Sequence, residues 1–313
     1  MDRLRLGVLQ RVVGDHRLHV RNVRSERPQG PVVPVRTVAP RLGKACGGER
    51  VGQKDVVEVR PVPPQLVHLH DVLVGVHHAT GSQRPAPERM ERLGQESGAY
   101  EMYIRTDSQL ITKQPVPAPA RNTRNLNYFD AIFYFGTGDN LNAQQKKDLM
   151  SFIKEDGKGF IGAHTGDDAF FEWPEFLEMI GGYFDGHPWS SFDAPIIIED
   201  PAFPAMKHFP MRFTIKDEIY QHKDFSRARV RVLASLDSSK LDYSKPNIHR
   251  EDKDFPVAWA KMYGKGRVFY STFGHAAEAW DNPQIQKMYF EATRWTLRLT
   301  GDDVTPGNAT QRK

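Results

Sequence analysis

The sequence predicts an α/β domain built on a parallel sheet. Three observations carry that reading. Short apolar runs, "FDAIFYFGTGD" (129–139) and "KGFIGAH" (158–164), end in glycine and polar residues, as buried parallel strands do. Helical patterns alternate with them. Every Phe, Tyr, Trp and Ile of the chain lies at Tyr100 or beyond, so the bulky core material is confined to one part.

The elements follow in order. "PERMERLGQESG" (87–98) has the pattern of a helix end with a glycine stop. "AYEMYIRTD" (99–107) alternates like a strand, and the proline-rich loop "KQPVPAPARNTRN" follows. After strand 129–139, "NAQQKKDLMSFIKEDGKG" spaces Leu149, Phe152 and Ile153 on one helical face, with Asn142 as its cap. "PEFLEMIGG" predicts a short helix. The character then changes: "APIIIED", "RFTIKDEIYQH" and "RVRVLASLD" predict strands. "FPVAWAKMYGKGRVFYSTFGH" predicts a hairpin turning at Gly264-Lys265-Gly266, and "NPQIQKMYFEATRWTLRLTG" a closing amphipathic helix. The expected organisation is a basic segment at 1–87, a globular domain at 88–302 and a tail at 303–313.

The first segment is unlike the rest. Residues 1–94 hold 16 Lys and Arg against 9 Asp and Glu, whereas the remainder holds 27 against 30. The net charge of +4 therefore belongs to one end, and no basic stripe is expected on the domain, which argues against nucleic acid as a partner. Arginine, valine and proline with so few bulky apolar residues favour disorder. The same composition is what a GC-rich stretch read in another frame would give, so residues 1–87 are expected to be disordered or a reading-frame artefact, with 71–80, "DVLVGVHHAT", still able to form a strand. The single cysteine, Cys46, lies in this segment, which leaves neither a disulfide framework nor a cysteine zinc site. No apolar run approaches the roughly 18 residues of a membrane span. The start has no apolar signal-peptide core. The default expectation is the cytoplasm, or the periplasm or exterior should the natural N-terminus differ.

In open α/β sheets ligands bind beyond the carboxyl ends of the strands. Residues just after the apolar runs are therefore the candidates: Thr137, then His164, Asp167 and Asp168, then His275. "GGYFDGHPW" adds His187 and Trp189, and "DEIYQH" adds Glu218 and Tyr220. Neutral imidazoles with a carboxylate suit a divalent metal such as zinc, through His164, His187 and His275. The same groups suit acid–base catalysis on a sugar, by His164, His275, Glu218 and Asp168. Trp189, Tyr220 and Trp280 offer apolar walls for a sugar ring, and Thr137 and Asp167 polar contacts. Each has a plainer reading: His164 as a backbone partner at a strand end, Asp167 and Asp168 as turn caps, His187 as a turn histidine. Strand alternation predicts that only one of Asp217 and Glu218 points inward, without saying which.

Together these stretches resemble the ThuA-like (trehalose-utilisation) family. The ordered set G-x-H-T, GGYF-x-GHPW, DE-x-Y and FP-x-AW…GKGRVFY…GH, over about 91–300, carries the resemblance. It implies a class I glutamine-amidotransferase-like fold: a flavodoxin-like three-layer sandwich, its sheet mostly parallel, with an added β-hairpin. It also implies a role in the metabolism of trehalose and related disaccharides or their 3-keto derivatives. In the amidotransferases the matching turn holds a cysteine nucleophile. ThuA-like proteins carry histidine there, as this chain does at His164, so thiolate glutaminase chemistry is not expected. The family opens with an apolar strand, a loop and a helix. Here the helix tail is recognisable, and "DVLVGVHHATG" is the one substitute for the strand, bringing His77 or His78 near the pocket; otherwise the sheet lacks a central strand. The expected function is a sugar-processing enzyme of isomerase or hydrolase type. The alternative is a carbohydrate-binding domain without catalysis. A small sugar is the expected partner, a membrane is not, and a homo-oligomer is compatible with the sequence.

Overall fold

Fully buried apolar strands set the plan of the molecule. The computed structural model describes residues 70–77, 85–117, 124–301 and 303–306. The expectations for residues 1–69, with Cys46, and for His78 lie outside the described residues. β1 (His70–His77), β2 (Tyr100–Arg105), β3 (Ala131–Gly136) and β4 (Gly159–Ala163) are the first strands, and every residue of β3 and β4 is buried. Strands apolar on both faces need cover on both sides. α1 (Pro85–Ser97), α2 (Ala143–Lys154), α3 (Pro174–Ile180), α4 (Ala277–Asp281) and α5 (Pro283–Thr296) provide it.

The remaining strands are β5 (Tyr183–Phe184), β6 (Ser191–Ile198), β7 (Arg212–Glu218), β8 (His222–Lys223), β9 (Arg231–Leu236), β10 (Pro256–Tyr263) and β11 (Gly266–Ser271). Among the described residues, nine strands form one sheet in the order β2-β1-β3-β4-β11-β10-β9-β6-β7. The run from β2 to β11 is parallel. From β11 outward the pairs are antiparallel. The expected hairpin is therefore built into the sheet: β11 is the fifth parallel strand, and β10 starts the antiparallel wing. β5 and β8 pair separately.

One core joins Met90 of α1, Trp280 of α4 and Ile285, Met288 and Tyr289 of α5 to Val72, Phe133 and Ile161. The other joins Leu149, Phe152 and Ile153 of α2 and Phe176, Met179 and Ile180 of α3 to Leu73, Ile132 and Phe160. Alternate residues of β1, β3 and β4 thus enter opposite cores, which is the three-layer arrangement. α2 begins with a full capping box: Asn142 Oδ1 accepts from the amides of Gln144 and Gln145, and Gln145 returns a bond to the Asn142 amide.

Two expectations change. The run at 71–80 does supply a strand, and β1 lies between β2 and β3, so the sheet begins ahead of residue 88. Val304, expected in the tail, joins the first core.

Candidate active site

β4 ends at Ala163, and the chain turns into a single 3-10 turn, His164–Asp167. His164 takes φ 46, a left-handed conformation that side chains other than glycine rarely adopt. The next glycine is dictated by space: a Cβ on Gly166 would stand 3.0 Å from the Tyr134 carbonyl oxygen. The sharp turn carries the His164 ring off the strand end, as nucleophile elbows do.

His164 is fully buried. Its Nδ1 lies 2.7 Å from the Thr272 carbonyl oxygen, which can only accept, so Nδ1 carries the proton. Nε2 is then a lone pair. It faces the Tyr220 hydroxyl at 2.7 Å, His275 Nδ1 at 3.2 Å and Glu218 Oε1 at 3.7 Å. Burial lowers the pKa of His164 to about 4, against the Thr272 bond and with help from the His275 charge. His275 moves the other way: its bond to Glu218, at 3.2 Å, raises it above the ordinary histidine value. Burial pushes Glu218 up, but the hydrogen bond and charge of His275 outweigh it and hold the carboxyl low.

Both acids of the DE pair point inward, contrary to simple alternation, because the strand ends there. Asp217 is fully buried and accepts from the amides of Gly274 at 2.8 Å, His275 at 3.1 Å and Glu218 at 2.9 Å. Burial lifts it to about 6 against those three bonds. One carboxylate thus fixes the loop that carries His275. Trp280 completes the loop: its Nε1 donates to the Gly274 carbonyl, and a Cβ on Gly274 (φ 117) would stand 2.6 Å from its ring.

The other expected residues are placed as follows. His187, on the loop after β5, reaches Glu218 Oε2 with Nδ1 at 3.7 Å and has a side chain 46% exposed. Asp168 is partly buried, and burial with Asp167 beside it raises its carboxyl to about 6. Asp167 is fully buried and faces His222 Nε2 at 3.1 Å. Trp280 is fully buried behind the Gly274 loop, and Trp189 is buried against Phe192 and Phe255 with its Nε1 donating to the Asp242 carbonyl. Tyr220 contributes its hydroxyl to His164 rather than an open ring face. Thr137 is half-buried on the loop after β3, where Gly138 bridges Ala169 and its amide donates to the Asp168 carbonyl. His77 ends β1 in register with Gly136. Sequence reasoning left open whether Asp217 points inward and gave Thr272 and His222 no role. The paired acids of "DEIYQH" were the available signal for Asp217; a backbone carbonyl such as that of Thr272 leaves none.

His164, Glu218 and His275 offer two nitrogens and one oxygen, all within 4.8 Å of one another. A tetrahedral zinc with ligands at about 2.0–2.1 Å spaces its donors about 3.3 Å apart, so this triangle fits such an ion. His187 stands outside the triangle, and Glu218 takes the place expected for it. Among the described residues no helix is long and apolar enough to cross a membrane.

Comparison with known proteins agrees with this architecture. A search of curated proteins finds no match. Among solved structures, a ThuA-like protein from Bacteroides uniformis ATCC 8492 is 20% identical, with a TM-score of 0.58 over 73% of this chain and 91% of that one. A second, from Parabacteroides merdae ATCC 43184, is 15% identical, with a TM-score of 0.57 over 73% and 90%. At such identities the likeness speaks for the fold alone. The family model for trehalose utilisation, ThuA, matches residues 71–296, which begins at β1 and ends at the close of α5, and the chain belongs to that family.

Proposed function

We propose that the His164 centre is catalytic and moves protons on a sugar, a keto-disaccharide or a related glycoside. The observation that carries this reading is a pair of histidines 3.2 Å apart in unlike surroundings, His164 fully buried on the Thr272 carbonyl and His275 half-exposed beside the Glu218 carboxylate at 3.2 Å. Environments that push neighbouring titratable groups apart provide an acid and a base at one pH. His164 is the base, with its Nε2 lone pair turned toward Tyr220, His275 and Glu218. His275 is the acid, charged through Glu218. On a keto-sugar, His164 takes the proton from the carbon beside the ketone. The C–H electron pair becomes the new C=C bond, and the carbonyl oxygen takes its proton from His275. Asp217 holds His275 and Glu218 in place throughout. Were a zinc-sized ion held by His164, Glu218 and His275, it would supply Lewis-acid polarisation of a sugar oxygen in place of this proton transfer, because it would occupy the His164 Nε2 lone pair.

The test is a screen of purified protein against trehalose, other disaccharides and their 3-keto forms, with metal content measured on the same sample. His164→Asn and His275→Ala are expected to lose at least about a hundredfold in turnover while retaining sugar affinity. No turnover on any sugar, with or without added zinc, would sink the proposal. Unchanged binding without catalysis in the natural sequence would instead favour a carbohydrate-binding role.

A further inference from the structure

The elbow that presents His164 stands on a second imidazole, which the proton chemistry does not use. Asp167, the last residue of the 3-10 turn, is fully buried, and so is His222 of β8. His222 Nε2 lies 3.1 Å from Asp167 Oδ2. Among the described residues no further hydrogen bond reaches either side chain. The His222 ring is wedged edge-on against Trp259 at 5.0 Å and Tyr270 at 5.8 Å between centroids. Trp259 is fixed by its Nε1 bond to the Ile180 carbonyl. The Tyr270 hydroxyl lies near the Asp167 carboxyl, but its one proton goes to the His164 carbonyl, 2.7 Å away. Asp167 is thus left to His222. Two residues before His222, the Tyr220 hydroxyl faces His164 Nε2, so the segment 220–222 meets the elbow at both its ends.

We propose that His222 and Asp167 are a positioning pair for His164: one proton held between Nε2 and Oδ2 locks the end of the turn and keeps the His164 ring aimed at Glu218 and His275. Two bare lone pairs facing each other at 3.1 Å in a dry interior would repel, so a proton lies between them, whichever atom holds it. A left-handed backbone at a residue other than glycine persists only where its surroundings over-determine it. Three contacts do so at His164 (φ 46): the Thr272 carbonyl on its ring, Tyr270 on its carbonyl, and the buried pair on the last residue of its turn. The first two hold His164 itself. The pair holds the chain that follows, so the strained residue cannot relax by swinging the turn. His222 touches none of the three converging groups and acts through Asp167 alone. The inference concerns the geometry of the centre and does not depend on which molecule the centre takes.

Nitrogen-15 histidine spectra of the full chain, recorded at neutral pH after chelation of any metal, test this without a substrate. His222 in the natural sequence is expected to show a slowly exchanging proton on Nε2, and His164 a single neutral form protonated at Nδ1. His222→Phe keeps a flat ring against Trp259 and Tyr270 but removes the nitrogen. It is expected to mix the two neutral forms of His164 and to speed exchange of the His164 Nδ1 proton at least about tenfold. His222→Gln, whose amide reaches toward the place of Nε2, should restore the natural His164 signals. Should the stranded Asp167 carboxyl unfold His222→Phe, the double change Asp167→Asn with His222→Phe removes the charge along with its partner and is read in the same way. Unaltered His164 signals in a folded variant would reduce the pair to core packing and overturn the proposal. So would a natural sequence in which His222 Nε2 carries no protected proton, whatever the variants do.

Discussion

Burial strips the His164 imidazolium of the water that would stabilise it, and the His275 charge adds repulsion, so the ring stays neutral down to about pH 4. This ties stability to pH with a definite sign. Below the ordinary histidine value of 6.5 the unfolded chain takes up a proton at this position that the folded chain refuses. The contribution of His164 is therefore present above 6.5 and is lost as pH falls toward 4. Asparagine tolerates the left-handed backbone at this position. The stability of the natural sequence relative to His164→Asn, measured by urea unfolding, is expected to shrink steadily between pH 6.5 and 4.5. A constant difference would mean that the ring is not held neutral. Asp217 makes a second residue-scale case. Asparagine has one acceptor oxygen where the carboxylate serves three amides, so Asp217→Asn strands at least one buried N–H. The expected cost is about 1–3 kcal/mol in urea unfolding, with loss of turnover exceeding what stability explains. Full activity in that variant would show that the His275 loop holds itself.

Elements differ in how plainly their residues announce them. α2 could be read down to its cap, because helix spacing and capping chemistry are local. Asn142→Ala is expected to cost about 1 kcal/mol of stability, read by thermal or urea unfolding, and to leave the site untouched. The elbow after β4 was legible for a similar reason: glycines either side of His164 mark a turn too tight for side chains. The end of β7 was not legible. Alternation assigns Asp217 and Glu218 to opposite faces, and the structure buries both, because the amides of a loop some 57 residues away turn Asp217 inward. Such a contact has no period in the sequence. For the same reason no period in the sequence says that Glu218 stands nearer to His164 and His275 than His187 does. Gly274 joins these elements. Alanine there needs the backbone at φ 117 and a Cβ pressed into the Trp280 ring. Gly274→Ala should therefore displace the His275 loop and lower both melting temperature and turnover.

At the scale of the whole molecule, the parallel half of the sheet depends on the strand that composition made hardest to see. β1 lies next to a stretch without aromatic residues, and valine is its main apolar residue, so its short apolar run alone sets it apart from the basic segment before it. Its position makes it indispensable. Val72 pairs with Met102 on one side and Ala131 on the other, and its side chain and that of Leu73 enter opposite cores. An edge strand can be lost with one ladder, but an interior strand takes two ladders and leaves a gap in both cores. β2 and α1 would then have no sheet to join. A chain starting at residue 84 retains every candidate site residue from Thr137 to Trp280, so a local view of function predicts that it works. The topology predicts the opposite: loss of a cooperative unfolding transition in circular dichroism, aggregation on expression, and no sugar binding. A truncated chain that melts cooperatively near the temperature of the full sequence would show that the sheet closes without β1, and the placement of β1 between β2 and β3 would have to be wrong.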